Sequence, residues 1–269
     1  MKSVLLHVDE DTALESRLQV ALDLCRNQDA HLTCLQATPY SAYVAFDPLG
    51  AAFTQQGLVA DVRAREVALR EKIEARLAQE DVRWDWAAAD GDVVRLLAAW
   101  SAVSDVVVVS QAAPSKDLMR PQAVASDLVF EAQCPVLVVP DAMEALNLTG
   151  PVVIGWNASP EAARAIRLSI PLLKDASAVH IVTIGEDDAD MPQMAASTYL
   201  SRHGVSSDLH TVPSGNGKPQ EVLLKFAHEV GARMVVMGAF GRSRLRETLL
   251  GGVTKALLGH SDVALLMAH

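Results

Sequence analysis

The chain has 269 residues and a formal net charge of −10, with 50% hydrophobic but only 4% aromatic residues. That length accommodates two domains of roughly 130 residues, each with a core of Val, Leu, Ile and Ala. The acidic balance argues against a general nucleic-acid or anionic-membrane surface, and no apolar run approaches the ~20 residues of a membrane span.

The opening stretch, MKSVLLHVDED, meets acidic residues after a few apolar ones. It reads as a strand and not as a signal peptide. Strands are predicted at Val4–Val8, Leu32–Ala37, Val106–Val109 and Val136–Val139, short apolar runs that suit burial on both faces of a parallel sheet. Helical patterns lie between them, among them Leu14–Arg26 and the strongly charged Ala60–Gln79. Cys25, Cys34 and Cys134 have neither C-x-x-C spacing nor the density of a disulfide framework, and read as core thiols in a reducing, cytoplasmic setting. DAMEALNLTGP, Asp141 to Pro151, is the predicted linker. Beyond it strands are predicted at Val152–Trp156, Val179–Ile184, Leu209–Val212, Met234–Met237 and Val263–Met267. The helices there are Pro160–Leu173, Met191–His203, Gln220–Val230 and Gly252–Leu258.

The two halves repeat each other. An offset of 148 carries SVLLHVDED and the residues after it onto PVVIGWNAS, with Asp9 falling on Asn157. An offset of 128 carries Ser110 onto Gly238 and needs no gap to the end of either half. The difference of 20 residues is assigned to the polar, Gly/Pro-marked stretch from Tyr40 to Gly57. The expected domains are therefore 1–141, with an insertion near 40–57, and 151–269. Five strands alternating with helices imply a doubly wound, mostly parallel α/β sheet in each half, with ligands at the carboxyl ends of the strands.

The stretch MGAFGRSRLRETLLGGVT, Met237 to Thr254, closes an apolar strand with Gly238 and Gly241 and opens a helix with Gly251 and Gly252. Glycine permits close backbone approach, and a helix N-terminus offers free N–H groups to an anion. Arg242, Arg244 and Arg246 add positive charge, Arg242 being the candidate for phosphate contact. Together these residues predict a phosphate cradle.

The spacing G-x2-G-x9-G, followed by Gly252-Val253-Thr254, resembles the nucleotide loop of the universal stress protein family. SVLLHVDED, VVIGWNASPEAARAI and CPVLVVP are similar to its opening strands, first helix and closing strand, so the whole chain resembles a tandem member. The resemblance implies that Gly238, Gly241, Gly251, Gly252, Val253 and Thr254 hold the phosphates of ATP or AMP, with Mg²⁺ as a companion ion. It also implies that Asn157 lies on the adenine side and that Val182 and Thr183 pass the base, and Ser159, near Asn157, is included in the binding set. Three positions depart from the family pattern: Gly252 for Ser or Thr, Asn157 for an acid, and Arg233 for Asp. In the first half the four glycines correspond to Ser110, Ala113, Ala123 and Val124, with Pro114 and Pro121 between them, which predicts a lost pocket on a kept fold.

Simpler readings stand beside these. The glycines suit a tight strand-to-helix loop, the arginines a solvated face, and Ser159 an N-cap. The eight histidines show no metal-ligand spacing, GNGK at Gly215–Lys218 lacks the full P-loop pattern, and Glu186, Asp187, Asp188 and Asp190 read as a charged loop. No nucleophile–base–orienter set is visible, so the sequence offers no case for an enzyme, with weak ATP hydrolysis left open. The expected function is an adenine-nucleotide-binding module in stress response or signalling, its ligand in the second half. The alternative is a ligand-independent scaffold for an unknown protein partner. The closing strands of the two halves, each with an otherwise exposed edge, are expected to pair as an intramolecular pseudo-dimer, a homodimer being the other arrangement.

Overall fold

The apolar runs become strands with almost no exposed surface, as in Val106–Val109 and Val136–Val139, every residue of which is buried. The computed structural model describes the chain apart from residues 47–51, 55, 112–123, 186–190, 216 and 240–251. The first half runs β1 (Ser3–Val8), α1 (Leu14–Gln28), β2 (His31–Thr38), a 3-10 turn at Tyr40–Tyr43, β3 (Val44–Phe46), β4 (Ala52–Thr54) and α2 (Gln56–Leu77). It continues with β5 (Arg83–Asp90), α3 (Val93–Ser101), β6 (Val106–Ser110), α4 (Val124–Glu131) and β7 (Val136–Val139). The second half runs β8 (Val152–Gly155), α5 (Pro160–Leu173), β9 (Val179–Ile184), α6 (Gln193–Arg202) and β10 (Asp208–Val212). It closes with α7 (Pro219–Glu229), β11 (Met234–Gly238), α8 (Gly252–His260) and β12 (Ala264–Ala268).

Ten strands form one sheet in the order β10-β9-β8-β11-β12-β7-β6-β1-β2-β5, and β3 pairs only with β4. Counted within its own half, each set of five has the order 3-2-1-4-5, the doubly wound arrangement expected from the alternation of strands and helices. β5 escapes a search for apolar runs because it is an edge strand whose residues alternate between exposed and half-buried. The 20 extra residues of the first half are not confined to one loop. Seventeen residues separate β2 from α2 where eight separate β9 from α6, and α2 has 22 residues where α6 has 10.

All neighbouring strands of the large sheet are parallel except β7 and β12, which pair antiparallel through Leu265 with Val138 and Leu266 with Leu137. At the offset of 128, Leu265 is the counterpart of Leu137 and Leu266 of Val138. Each pair therefore maps onto the other, and the register is that of a pseudo-two-fold axis between them. The closing strands cover each other's edges, as the edge argument requires. The connecting segment is itself packed: Met143, Leu146 and Leu148 are buried, and the Leu146 amide donates to Asp23 Oδ2 at 3.0 Å. One apolar layer lies beneath α1, α2, α5 and α6 and includes Leu6, Leu18, Ile73, Ile154, Ile166 and Leu200. The other lies beneath α3, α4, α7 and α8 and includes Leu97, Leu128, Leu223 and Leu257. Among the described residues no helix is long and apolar enough to cross a membrane.

Candidate functional site

The strand order of the second half reverses at β8, whose neighbours β9 and β11 are reached by connections running in opposite directions. A crevice is expected where the carboxyl ends of such strands part, and a cavity of about 320 Å³ opens there. Val182 and Ile184 of β9, Leu223 of α7 and Met237 of β11 form its apolar walls. Asn157, in the β8–α5 loop, and Thr254, in the first turn of α8, supply polar side chains. The walls follow from strand alternation: Val182 and Ile184 share one face of β9 and Thr183 takes the other. Thr183 is buried away from the cavity, and its Oγ1 has no hydrogen-bond partner among the described residues. Thr183 is thus corrected from base neighbour to a residue behind the wall.

Ser159 also leaves the predicted set. It is the N-cap of α5, its hydroxyl accepting from the Ala162 amide at 3.1 Å, with Pro160 at the first helical position. That position suits Pro, whose missing N–H would have gone unbonded there. Asn157 is held by a local turn in which its Oδ1 accepts from the Ser159 amide at 3.2 Å. Ala158 between them has φ 57°, a left-handed conformation that costs an alanine roughly 1–2 kcal/mol. Asn157 is exposed at the cavity rim.

The two described glycines of the predicted cradle do different things. A Cβ on Gly238 would lie 2.3 Å from the Ala162 amide nitrogen and 2.6 Å from the Glu161 carbonyl carbon. Gly238 is therefore glycine because α5 begins against it, although its backbone reaches the cavity. Gly252, at the start of α8, has nothing within 4 Å of the equivalent position. Among the described residues nothing covers this start of α8, and the first amides of an α-helix have no intrahelical partner. Gly241, Arg242 and Gly251 lie outside the described residues, as do Arg244 and Arg246 and the first-half positions Ala113, Pro114, Pro121 and Ala123.

The first half fills the corresponding strand ends with a buried arginine. Arg17 stands where the second half has Ala165 and is 1% exposed. Its Nε donates to the His7 carbonyl at 2.8 Å, Nη2 to the Asp9 carbonyl at 2.9 Å, and Nη1 to Asp11 Oδ1 at 2.7 Å and Ser110 Oγ at 3.1 Å. Ser110 is the counterpart of Gly238. Its side chain occupies the side of the sheet that α5 occupies in the second half, so this loss of glycine reflects helix packing and not phosphate contact. Burial would raise the Asp11 pKa, but the hydrogen bond and charge of Arg17 and the Ala13 amide outweigh it and hold the carboxyl below its ordinary range.

The cavity thus brings together Asn157, Val182, Gly238, Gly252, Val253 and Thr254. Sequence reasoning missed Gly155, Trp156, Ile184, Pro219, Leu223 and Met237. Ile184 and Met237 could have been found, as strand residues one alternation from Val182 and next to Gly238. Pro219 and Leu223 could not, because only the fold lays α7 across the strand ends. No described lining residue titrates near neutrality; the described site offers apolar walls, amide and hydroxyl groups, and a helix N-terminus.

The model of the universal stress protein family matches residues 149–269. The second half of the chain is a universal stress protein domain. No curated protein matches the sequence. Among solved structures, a universal stress protein from Archaeoglobus fulgidus DSM 4304 superposes with a TM-score of 0.74 at 15% identity, over 98% of this chain and 97% of that one. A protein of unknown function from Pseudomonas aeruginosa PAO1 superposes with a TM-score of 0.60 at 17% identity, over 99% of this chain and 92% of that one. Both likenesses run through both halves, so the first half has the universal stress protein fold as well.

Proposed function

We propose that the second half binds one adenine nucleotide, ATP or AMP, and that the protein serves as a ligand-responsive module in stress response or signalling. The observation that carries this reading is the meeting of an apolar slot with an open helix N-terminus. A flat base fits between Val182, Ile184 and Leu223, and phosphates fit at Gly252, where among the described residues no non-neighbouring atom obstructs a Cβ position. Asn157 Nδ2 would donate to the base or ribose, and Mg²⁺ would enter with the phosphates. The chemistry of such a lining is binding. Cys25, Cys34 and Cys134 are free thiols that burial pushes up to about 12, in keeping with core thiols in a reducing, cytoplasmic setting, which belongs to the same proposal.

Calorimetry with ATP and with AMP tests the reading. One site per chain is expected, and it should be lost in Gly155→Val. A Cβ on Gly155 would sit 3.3 Å from Leu223 Cδ2, the end of a flexible side chain, so the variant should fold while its larger side chain fills the slot. A stoichiometry of two would give the first half a site as well, unchanged binding in a Gly155→Val protein with native circular dichroism would remove the slot as the site, and no binding of either nucleotide would transfer the function to the scaffold alternative.

A further inference from the structure

The histidines carry no metal-binding spacing along the chain, yet the parallel pairing of β9 and β10 brings two of them together. His180 pairs with Asp208 and Val182 with His210, so His180, Asp208 and His210 share one face of the sheet. His180 Nδ1 lies 3.2 Å from His210 Nε2 and 3.7 Å from Asp208 Oδ2. One ligand atom from each of the three residues lies within 4.8 Å of the others. Phe226 of α7 closes one side, its ring centroid 6.0 Å from that of His180 and 4.8 Å from that of His210. β10 is the outer strand of the sheet, and the Asp208 side chain is 72% exposed where that of His180 is 14% exposed.

We propose that His180, His210 and Asp208 form a binding site for a first-row divalent transition-metal ion, zinc foremost. With zinc–nitrogen bonds of about 2.0–2.1 Å, two nitrogens 3.2 Å apart subtend about 100° at the metal, close to the tetrahedral angle. Two imidazoles and one carboxylate favour zinc, cobalt, nickel or copper over magnesium and calcium, which prefer oxygen ligands. The exposed Asp208 can turn inward to complete the third position, leaving the fourth to water. A bound ion would tie the outer strand β10 to β9 and restrain α7 through Phe226. The competing account of the 3.2 Å contact is a simple hydrogen bond between the two rings.

The test uses the full chain, stripped with a chelator and titrated with Co²⁺ followed by optical absorption. One equivalent should give the intense visible bands of tetrahedral cobalt, and Zn²⁺ should displace it and raise the Tm. His210→Gln, on the outer strand, should weaken zinc binding by at least ~100-fold and Asp208→Asn by about 10-fold, both with unchanged circular dichroism. His31→Gln, distant in the sheet, should bind as the parent does. Cobalt spectra without tetrahedral bands, or zinc binding and a Tm increase unaffected by His210→Gln, would overturn the proposal and leave the hydrogen bond as the whole explanation.

Discussion

Gly238 and Ala162 approach so closely that a Cβ on the glycine would stand 2.3 Å from the Ala162 amide nitrogen. The obstructing atoms belong to helix backbone, which cannot turn aside as a side chain can. Gly238→Ala should therefore displace the start of α5 and destabilise the protein by about 3 kcal/mol, the upper range for overpacking. Urea unfolding measures it. An Ala variant as stable as the parent would show that α5 can move away freely.

Gly252 should behave in the opposite way. Among the described residues nothing obstructs a hydroxymethyl group there, so Gly252→Ser should leave Tm nearly unchanged. If phosphate sits at this helix start, the new hydroxyl adds a hydrogen bond to a charged acceptor, a gain of about 1.5 kcal/mol or roughly tenfold in ATP affinity. Titration of parent and variant side by side decides it; weaker binding in the variant would move the phosphates elsewhere.

Arg17 holds the strand ends of the first half through four hydrogen bonds while almost wholly buried. Arg17→Met keeps much of its volume but leaves the His7 and Asp9 carbonyls and the Asp11 carboxylate without this donor. The loss should be roughly 3 kcal/mol, the lower end for breaking a buried pair, because the Asp11 side chain is 30% exposed. Ser110→Gly, which removes the 3.1 Å contact from Arg17 and the long 3.4 Å bond that the hydroxyl donates to the Ala13 carbonyl, should cost about 1 kcal/mol. Chemical denaturation of the two variants should rank them in that order.

Asp11 gives the first half a defined acid sensitivity. Its folded-state pKa is depressed below the ordinary 3.8, because Arg17 and the Ala13 amide outweigh desolvation. The stabilisation is therefore fully present above 3.8 and is lost as pH falls below that value through the depressed pKa. Asp11→Asn should be less stable than the parent at pH 6, and the Tm difference between them should shrink as pH falls from 4 to 2. A difference that stays constant over that interval would separate Asp11 from the acid response.

Much of this architecture is legible in the sequence because burial on both faces leaves continuous apolar runs, as at Val106–Val109 and Met234–Met237. The internal repeat also carries the 128-residue offset without a gap through α4 and α8 to the closing strands. β5 was hidden by its place at the sheet edge, where half-exposed Trp84 and Trp86 alternate with charged neighbours. Among the predicted binding residues, Asn157, Val182 and Gly252 meet at one cavity, since a doubly wound sheet opens where its strand order reverses.

What the sequence determined by itself is the alternation of strands and helices, the duplication, and the position of the glycine-marked strand end. It could not separate a glycine that admits a ligand from one that admits a helix. Gly238 and Gly252 look alike along the chain, but a Cβ would meet the α5 backbone at one and, among the described residues, nothing at the other. Nor could it distinguish Thr183 from Val182 as a lining residue until the face of β9 covered by α7 was known, or bring His180 to His210 across a sequence separation of 30. These outcomes depend on which surfaces meet after strands pair and helices pack. Local propensity and spacing encode the elements; the tertiary structure alone decides what stands opposite each side chain.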